Sequence, residues 1–138
     1  MPKGVLLDTG FLVALVNAKD PDHERCVRVW SPMVARVVTI EGVLVEAAHL
    51  LGGARGAAAA ALNLVRSVDA TIVQLDGRRI DAALGLMKRY RDVPMDLVDA
   101  LLVVTAEELS IPEVLTLDRR GFGVYRFRRT KSFTILPT

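Results

Sequence analysis

The chain has 138 residues, 51% of them hydrophobic and 25% charged. That balance excludes a disordered chain and supports a single domain over residues 1–138 with a substantial core, while no apolar run reaches the roughly 18 residues needed to span a bilayer. The formal net charge of +2 conceals an asymmetry: Asp118 is followed by Arg119, Arg120, Arg126, Arg128, Arg129 and Lys131 with no acidic residue, and Lys88, Arg89 and Arg91 precede Asp96. Such clusters are either solvated surface or the footprint of a polyanion beside an acidic centre. Cys26 stands alone, which excludes an intrachain disulfide and a thiolate metal cluster.

Residues 5–7 (VLL) form a short, continuously apolar run, the pattern of a strand buried on both faces. Asp8 ends the run, and Thr9-Gly10 opens a short helix to residue 16. Lys3 ahead of this stretch gives a faint likeness to a signal peptide. Asp8 within it and a poor cleavage site at residues 17–20 (NAKD) reject that reading, so a cytoplasmic protein is expected. Pro21-Asp22 starts a second helix whose apolar side carries Val27, Val29 and Trp30. Residues 34–39 have the β-branched density of a second strand. Residues 41–51 are helical and are closed by Gly52-Gly53, and the alanine-rich stretch 54–65 is a strong helix former. Residues 70–75 (ATIVQL) read as a third strand. Asp76 then caps a helix in which Ile80, Ala83, Leu84 and Met87 repeat at helical spacing. Asp92-Val93-Pro94 forces a break, Asp96 opens a helix to residue 109, and residues 114–117 form a fourth strand. Residues 124–127 and 133–136 read as short terminal strands. Strands alternating with helices imply an α/β fold with a mainly parallel sheet.

Four acidic residues, Asp8, Glu46, Asp99 and Asp118, follow or interrupt apolar stretches, in VLLDTGFLVAL, VLVEAAHLL, DLVDALLVV and VLTLDRRGF. An ionised carboxylate among buried neighbours is costly unless it is paired, hydrogen-bonded or bound to a metal. Asp8 and Asp118 each stand just after a strand, where open α/β sheets bind ligands, but each is equally placed to be a helix N-cap. Glu46 is surrounded by Val43, Leu44, Val45, Ala47, Ala48, Leu50 and Leu51, which leaves its helix no real solvated face and the carboxylate in want of a cation. The alternative is an edge position where Glu46 reaches water. Asp96 and Asp99 share one face of a first helical turn, Asp96 as the better cap and Asp99 in the reciprocal capping-box position. Asp99, followed by Ala100-Leu101-Leu102, is the expected ligand, with Asp96 a cap or an outer ligand.

If these carboxylates converge, they cannot all ionise without a counter-charge. An all-oxygen set favours Mg²⁺ or Mn²⁺, one or two ions, over zinc. Such ions serve phosphate chemistry, and with no Ser/His/Asp or Cys/His set in view the reaction is hydrolysis by metal-activated water. Other candidates are weaker. His49, three after Glu46, reads as a satisfied core residue, His23 as a surface residue near a helix start, and Gly52-Gly53 as part of a turn. The aromatic residues are too sparse to argue for base stacking.

Taken in order, these segments resemble those of the PIN-domain ribonucleases, and within them the VapC-type toxins of bacterial and archaeal toxin–antitoxin pairs. VLLDTGFLVALVNAKDPDHERC resembles the family's opening acidic segment, Glu46 its helical Glu, DVPMDLVDALLVVTAEEL the segment of the third acid at Asp99, and VLTLDRRGFGVYR the closing segment with the fourth at Asp118. The resemblance implies an α/β/α sandwich with a parallel sheet of four to five strands and a Mg²⁺- or Mn²⁺-dependent endoribonuclease. It also implies a homodimer and a cognate antitoxin that masks or disrupts the site. Asp8, Glu46, Asp99 and Asp118 are then the metal ligands and catalytic residues. Thr9 and Thr116 match hydroxyl positions beside the first and fourth acids, and on a strand Thr116 and Asp118 would share a face. Arg89, Arg91, Arg119 and Arg120 are the expected contacts to RNA. Two other readings differ in class. A receiver-type signalling domain needs a second acid at the first strand's end and a Lys at its last, which this sequence lacks. A catalytically silent PIN fold would bind RNA or protein without cutting.

Overall fold

The computed structural model describes residues 4–53 and 55–138. Five strands form one parallel sheet: β1 (Gly4–Leu7), β2 (Arg36–Ile40), β3 (Thr71–Val73), β4 (Glu113–Leu115) and β7 (Thr134–Leu136), in the order β3-β2-β1-β4-β7. The central strands are buried on both faces, with Leu6, Leu7, Val38, Val114 and Leu115 excluded from solvent, as their unbroken apolar runs require. The chain steps outward from β1 to β2 to β3, then returns across β1 to lay down β4. Right-handed crossovers consequently place α1 (Thr9–Val16), α2 (His23–Trp30), α3 (Glu41–Leu51) and α4 (Ala57–Ser67) together in one layer. They place α5 (Gly77–Arg89) and α6 (Leu97–Leu109) against each other, with α6 against β2. The expected α/β/α sandwich with five parallel strands is what the chain forms.

The reversal of direction lies between β1 and β4, which pair Leu6 with Val114 and Leu7 with Leu115. Asp8 continues that contact, its N–H donating to the Leu115 carbonyl at 2.9 Å. A topological switch point of this kind opens a crevice beyond the strands' carboxyl ends. Helix α6 is the most deeply set, with Ala100 to Ala106 all buried, which fixes the side chains of its first turn relative to the sheet.

Several local expectations change. The second strand starts at Arg36, and Val34 is 84% exposed. Gly52 has φ −58 and continues the right-handed turn instead of stopping α3 in the left-handed region. Helix α4 begins at Ala57, after Gly56 at φ +75, and the expected start at Ala54 lies outside the described residues. On α5 the buried positions are Ala83 and Leu86, while Ile80 and Leu84 face solvent. Residues 126–127 do not join the main sheet. They form β5 (Arg126–Phe127), paired antiparallel with β6 (Lys131–Ser132), a separate hairpin. A short helix, α7 (Arg119–Phe122), follows Asp118 and lacks the length to show any periodicity in sequence.

Candidate active site

Asp8 sits at the switch point and is 7% exposed. It caps α1: one carboxylate oxygen accepts from the Thr9 N–H at 2.8 Å, and the other accepts from the Thr116 hydroxyl at 2.6 Å. The same Thr116 oxygen accepts the Asp118 N–H at 3.0 Å, so one side chain ties the Asp8 carboxylate to the Asp118 backbone. Strand β4 ends at Leu115, so Thr116 and Asp118 do not share a strand face as expected. Thr116 instead begins a turn whose hydrogen bonds run forward to Asp118 and across to Asp8. Asp118 caps α7 by accepting from the Gly121 N–H at 2.9 Å. Both acids are therefore helix caps that stand beyond the carboxyl ends of β1 and β4.

Asp96 caps α6, accepting from the Asp99 N–H at 2.8 Å while its own N–H donates to the Asp99 carboxylate at 3.4 Å, the reciprocal pairing read from the sequence. Asp99 also accepts from the Tyr125 hydroxyl at 3.1 Å. Tyr125 is buried and stands edge-on to Tyr90 and Phe122, with ring centroids 5.2 Å away in both cases. Its phenol is held well above its ordinary range, by burial first and by the Asp99 charge second, so it stays a donor. Gly121 packs beneath this group. A Cβ there would collide with the Asp118 carboxylate and lie 2.9 Å from the Tyr125 oxygen.

The acids interact. The Asp8 carboxyl is pushed up to about 6, chiefly by burial; its hydrogen bonds oppose the shift, and the Asp118 and Glu46 charges add to it. Asp99 is pushed up to about 7 by burial, then by the charges of Asp96 and Asp8. Asp8 is thus within electrostatic reach of Glu46, Asp99 and Asp118. Among the described residues none of these acids has an ion-pair partner, since the ion pairs join Arg25 to Asp22, Arg79 to Asp76 and Glu108, and Arg78 to Glu108. Nor, among those residues, does any group of three or more His, Cys, Asp and Glu side chains stand close enough to hold a metal ion. Each Asp accepts hydrogen bonds from protein donors, which favour its ionised form against the repulsion of its neighbours.

Glu46 corrects the expectation of a helix without a solvated face. Val45 is 70% and Leu50 61% exposed, so α3 presents an apolar side to solvent and Glu46 sits half-buried at its margin. Val45, Glu46 and His49 form one wall of an apolar groove of about 460 Å³, which Leu97, Val98 and Leu101 also line. His49 is exposed there and is not a core residue. His23 is half-buried, its Nδ1 2.7 Å from the Ala14 carbonyl.

The expected RNA contacts separate. Arg119 and Arg120 flank Asp118 on α7, with Arg119 donating to the Pro137 carbonyl at 2.8 Å. Arg91 is exposed and donates to the Lys88 carbonyl at 3.3 Å. Arg89 faces a different groove, between α5 and α6.

The PIN domain family model matches residues 5–128. The chain belongs to the PIN-domain family. It is 27% identical over 135 residues to Ribonuclease VapC26 of Mycobacterium tuberculosis, an alignment spanning 96% of this chain and all of that one. Among solved structures it is similar to the sarcin-ricin loop cleaving toxin VapC20 of Mycobacterium tuberculosis, with TM-score 0.78, 24% identity, and 88% of this chain and 95% of that chain covered. It is also similar to a toxin–antitoxin complex from Klebsiella pneumoniae, with TM-score 0.67, 16% identity, and 87% and 91% covered. The resemblance read from the four acidic segments is borne out.

Within this PIN fold, two contributors to the site escaped sequence reasoning. Tyr125 meets Asp99 only through tertiary packing, 26 positions away, and nothing local marks it. Gly121 carried a usable signal: a glycine three residues after an Asp that caps a helix invites close packing against the cap.

Proposed function

We propose that this chain is a Mg²⁺- or Mn²⁺-dependent endoribonuclease, the toxin of a toxin–antitoxin pair, which hydrolyses RNA phosphodiester bonds and so inhibits translation or growth. The observation that carries the reading is Asp8: a buried carboxylate at the switch point, within the field of Glu46, Asp99 and Asp118. The donor set fits a hard divalent ion, being all oxygen. The Thr9 hydroxyl supports it further, buried beside Asp8 with no hydrogen-bond partner among the described residues. Asp8, Glu46, Asp99 and Asp118 would hold one or two ions, with Asp96 as helix cap and outer ligand. Bound there, the metal supplies Lewis acidity, neutralising phosphate charge and acidifying water. Thr116 fixes the Asp8 carboxylate, Tyr125 fixes that of Asp99, and Thr9 offers a hydroxyl to what binds between them. Arg119, Arg120 and Arg91 steer and hold the phosphate backbone beside the acids.

The antitoxin reading draws on the Klebsiella pneumoniae complex and on similarity to VapBC2 of Rickettsia felis, solved with a promoter DNA fragment (TM-score 0.63, 12% identity, 96% of both chains covered). The apolar groove with Glu46 in its wall offers an amphipathic antitoxin segment a place to dock at the edge of the acidic centre. A homodimer follows from the resemblance, and sedimentation equilibrium checks it as twice 15.0 kDa. The test of activity is RNA cleavage by the purified chain: EDTA should stop it and Mg²⁺ or Mn²⁺ restore it. RNA bound but never cut under Mn²⁺ would instead favour a silent PIN fold.

A further inference from the structure

The groove that takes Arg89 away from the acidic centre has a chemistry of its own. It encloses about 540 Å³ between α5, α6 and the β5–β6 turn, and its charged walls are Arg78, Arg89, Glu107, Glu108, Arg128 and Arg129. Arg78, Ala82, Gly85 and Arg89 recur along one face of α5, so the groove follows that helix for about 17 Å at 1.5 Å per residue. Its floor is open at Gly85, where an added Cβ would meet nothing.

Arg78, Arg89, Arg128 and Arg129 against Glu107 and Glu108 leave the groove with an excess of positive charge. Glu108 is engaged by Arg79 at 3.0 Å and by Arg78 at 4.0 Å, and the Glu107 carboxylate accepts the Arg128 backbone N–H at 2.7 Å. The Arg128 guanidinium is structural: it donates to the Glu107 carbonyl and the Ser110 hydroxyl and lies 4.9 Å over the Phe127 ring. Arg89 and Arg129 have no hydrogen-bond or ion-pair partner among the described residues.

The turn carries a second sign. Arg128 and Arg129 both have left-handed backbones, φ 48 and φ 70. Gly, Asn or Asp takes such positions at little cost, and Arg does not. Contacts of its side chain offset the strain at Arg128. At Arg129 the turn alone holds that backbone, through the Thr130 N–H donating to the Phe127 carbonyl at 3.3 Å across both residues, and the side chain adds charge.

We infer that this groove binds the sugar–phosphate backbone of RNA outside the scissile position, with Arg89 and Arg129 as its free cations. The inference rests on the ribonuclease reading and extends its substrate beyond the acidic centre. Cations spread along a shallow track suit a polymer of phosphates, whereas one small anion requires donors converging on a point. The Arg89 end adjoins that centre through packed residues. Tyr90 follows Arg89, its hydroxyl accepts the Arg126 N–H at 3.0 Å, and its ring meets Tyr125, the donor to Asp99. On this inference, RNA held at the acids extends its neighbouring phosphates along the cationic groove.

The test compares Arg89→Gln/Arg129→Asn with a control, Arg36→Gln/Arg66→Gln, which removes two exposed charges at the start of β2 and on α4. Both are made in full-length chain carrying Asp8→Asn, and binding to a mixed-sequence single-stranded RNA is followed by fluorescence anisotropy from 50 to 300 mM salt. The groove variant should bind about tenfold or more weakly at low salt. The slope of log K against log salt should fall by about 1.4, the share of two phosphates on a single strand. Asn at position 129 suits the left-handed backbone, so Tm should not drop, which separates lost binding from lost structure. Equal losses in both variants, or none in either, would overturn the inference while leaving the nuclease reading intact. RNA affinity unchanged beside a lost affinity for polyglutamate would assign the groove to an acidic polypeptide and also overturn it. Failure of the unsubstituted chain to cleave RNA at all would count against the nuclease reading itself.

Discussion

Thr116→Val isolates the link between the two halves of the site. Thr116 is 1% exposed, and Val has the same branched outline, so the principal change is the loss of the hydroxyl. Two hydrogen bonds go with it: the 2.6 Å donation to the Asp8 carboxylate and the 3.0 Å acceptance from the Asp118 N–H. A bond to an ionised group contributes about 1.5–3 kcal/mol and a neutral one about 1 kcal/mol, so the loss should be about 2.5–4 kcal/mol where Asp8 is ionised. The cost should shrink toward pH 5, because the Asp8 carboxyl titrates near 6 and the charge-assisted part disappears with its charge. Without the hydroxyl, Asp8 also loses the orientation that an entering cation needs, and Mg²⁺ should bind about 10–100-fold more weakly. Urea denaturation in EDTA at pH 5 and pH 7.5 reads the first effect, and the Mg²⁺ dependence of RNA cleavage reads the second. Thr116→Ser is the control, losing a methyl at about 1 kcal/mol but keeping the Mg²⁺ midpoint. If Val and Ser behave alike, or Val matches the parent at pH 7.5, the hydroxyl bridge does not organise the site.

Other expectations follow from the same carboxylates. The folded-state pKa of Asp8 is raised from 3.8 to about 6, so the folded chain binds more protons than the unfolded one across that interval. The stability tied to that proton is complete below about pH 4 and is lost as pH rises through 6, by about 3 kcal/mol for this buried group. Metal-free chain should therefore be more stable at pH 5 than at pH 7.5, and urea midpoints that stay flat would refute this. Tyr125→Phe keeps the ring packing but removes the donor that lowers the Asp99 pKa, so the acid limb of the pH–rate profile should move to higher pH. An unmoved limb would mean that the phenol does not hold Asp99.

The strands of the main sheet and the helix caps at Asp8, Asp96 and Asp118 were legible because each is marked locally. Val5 to Leu7 and their continuation into Asp8 combine an apolar run with an abrupt carboxylate, and the Asp96–Asp99 capping box can be read from spacing alone. What required the third dimension was orientation. The face of α3 carrying Val45 looks like core in sequence, yet it is one wall of an open groove, which moves Glu46 from the interior to a margin. Thr116 lies one residue past the end of β4, so it acts through a turn and not through strand alternation. Arg89 and Arg91 are two positions apart in sequence, but only Arg89 lines the groove beside α5. The hairpin that brings in Arg128 and Arg129 is held by β5–β6 strands of two residues each, too short to show any pattern.

The central claim is that Asp8 anchors a divalent-cation site that cuts RNA, and Asp8→Asn tests it most directly. Asn preserves the size of the side chain and removes its charge, so the apo fold at pH 7.5 should be kept and stability should not fall. Cleavage of RNA by the variant, followed by gel electrophoresis at saturating Mg²⁺ and again at saturating Mn²⁺, should be abolished while thermal unfolding stays cooperative. Cleavage at the parent rate by a folded Asp8→Asn chain would contradict the account.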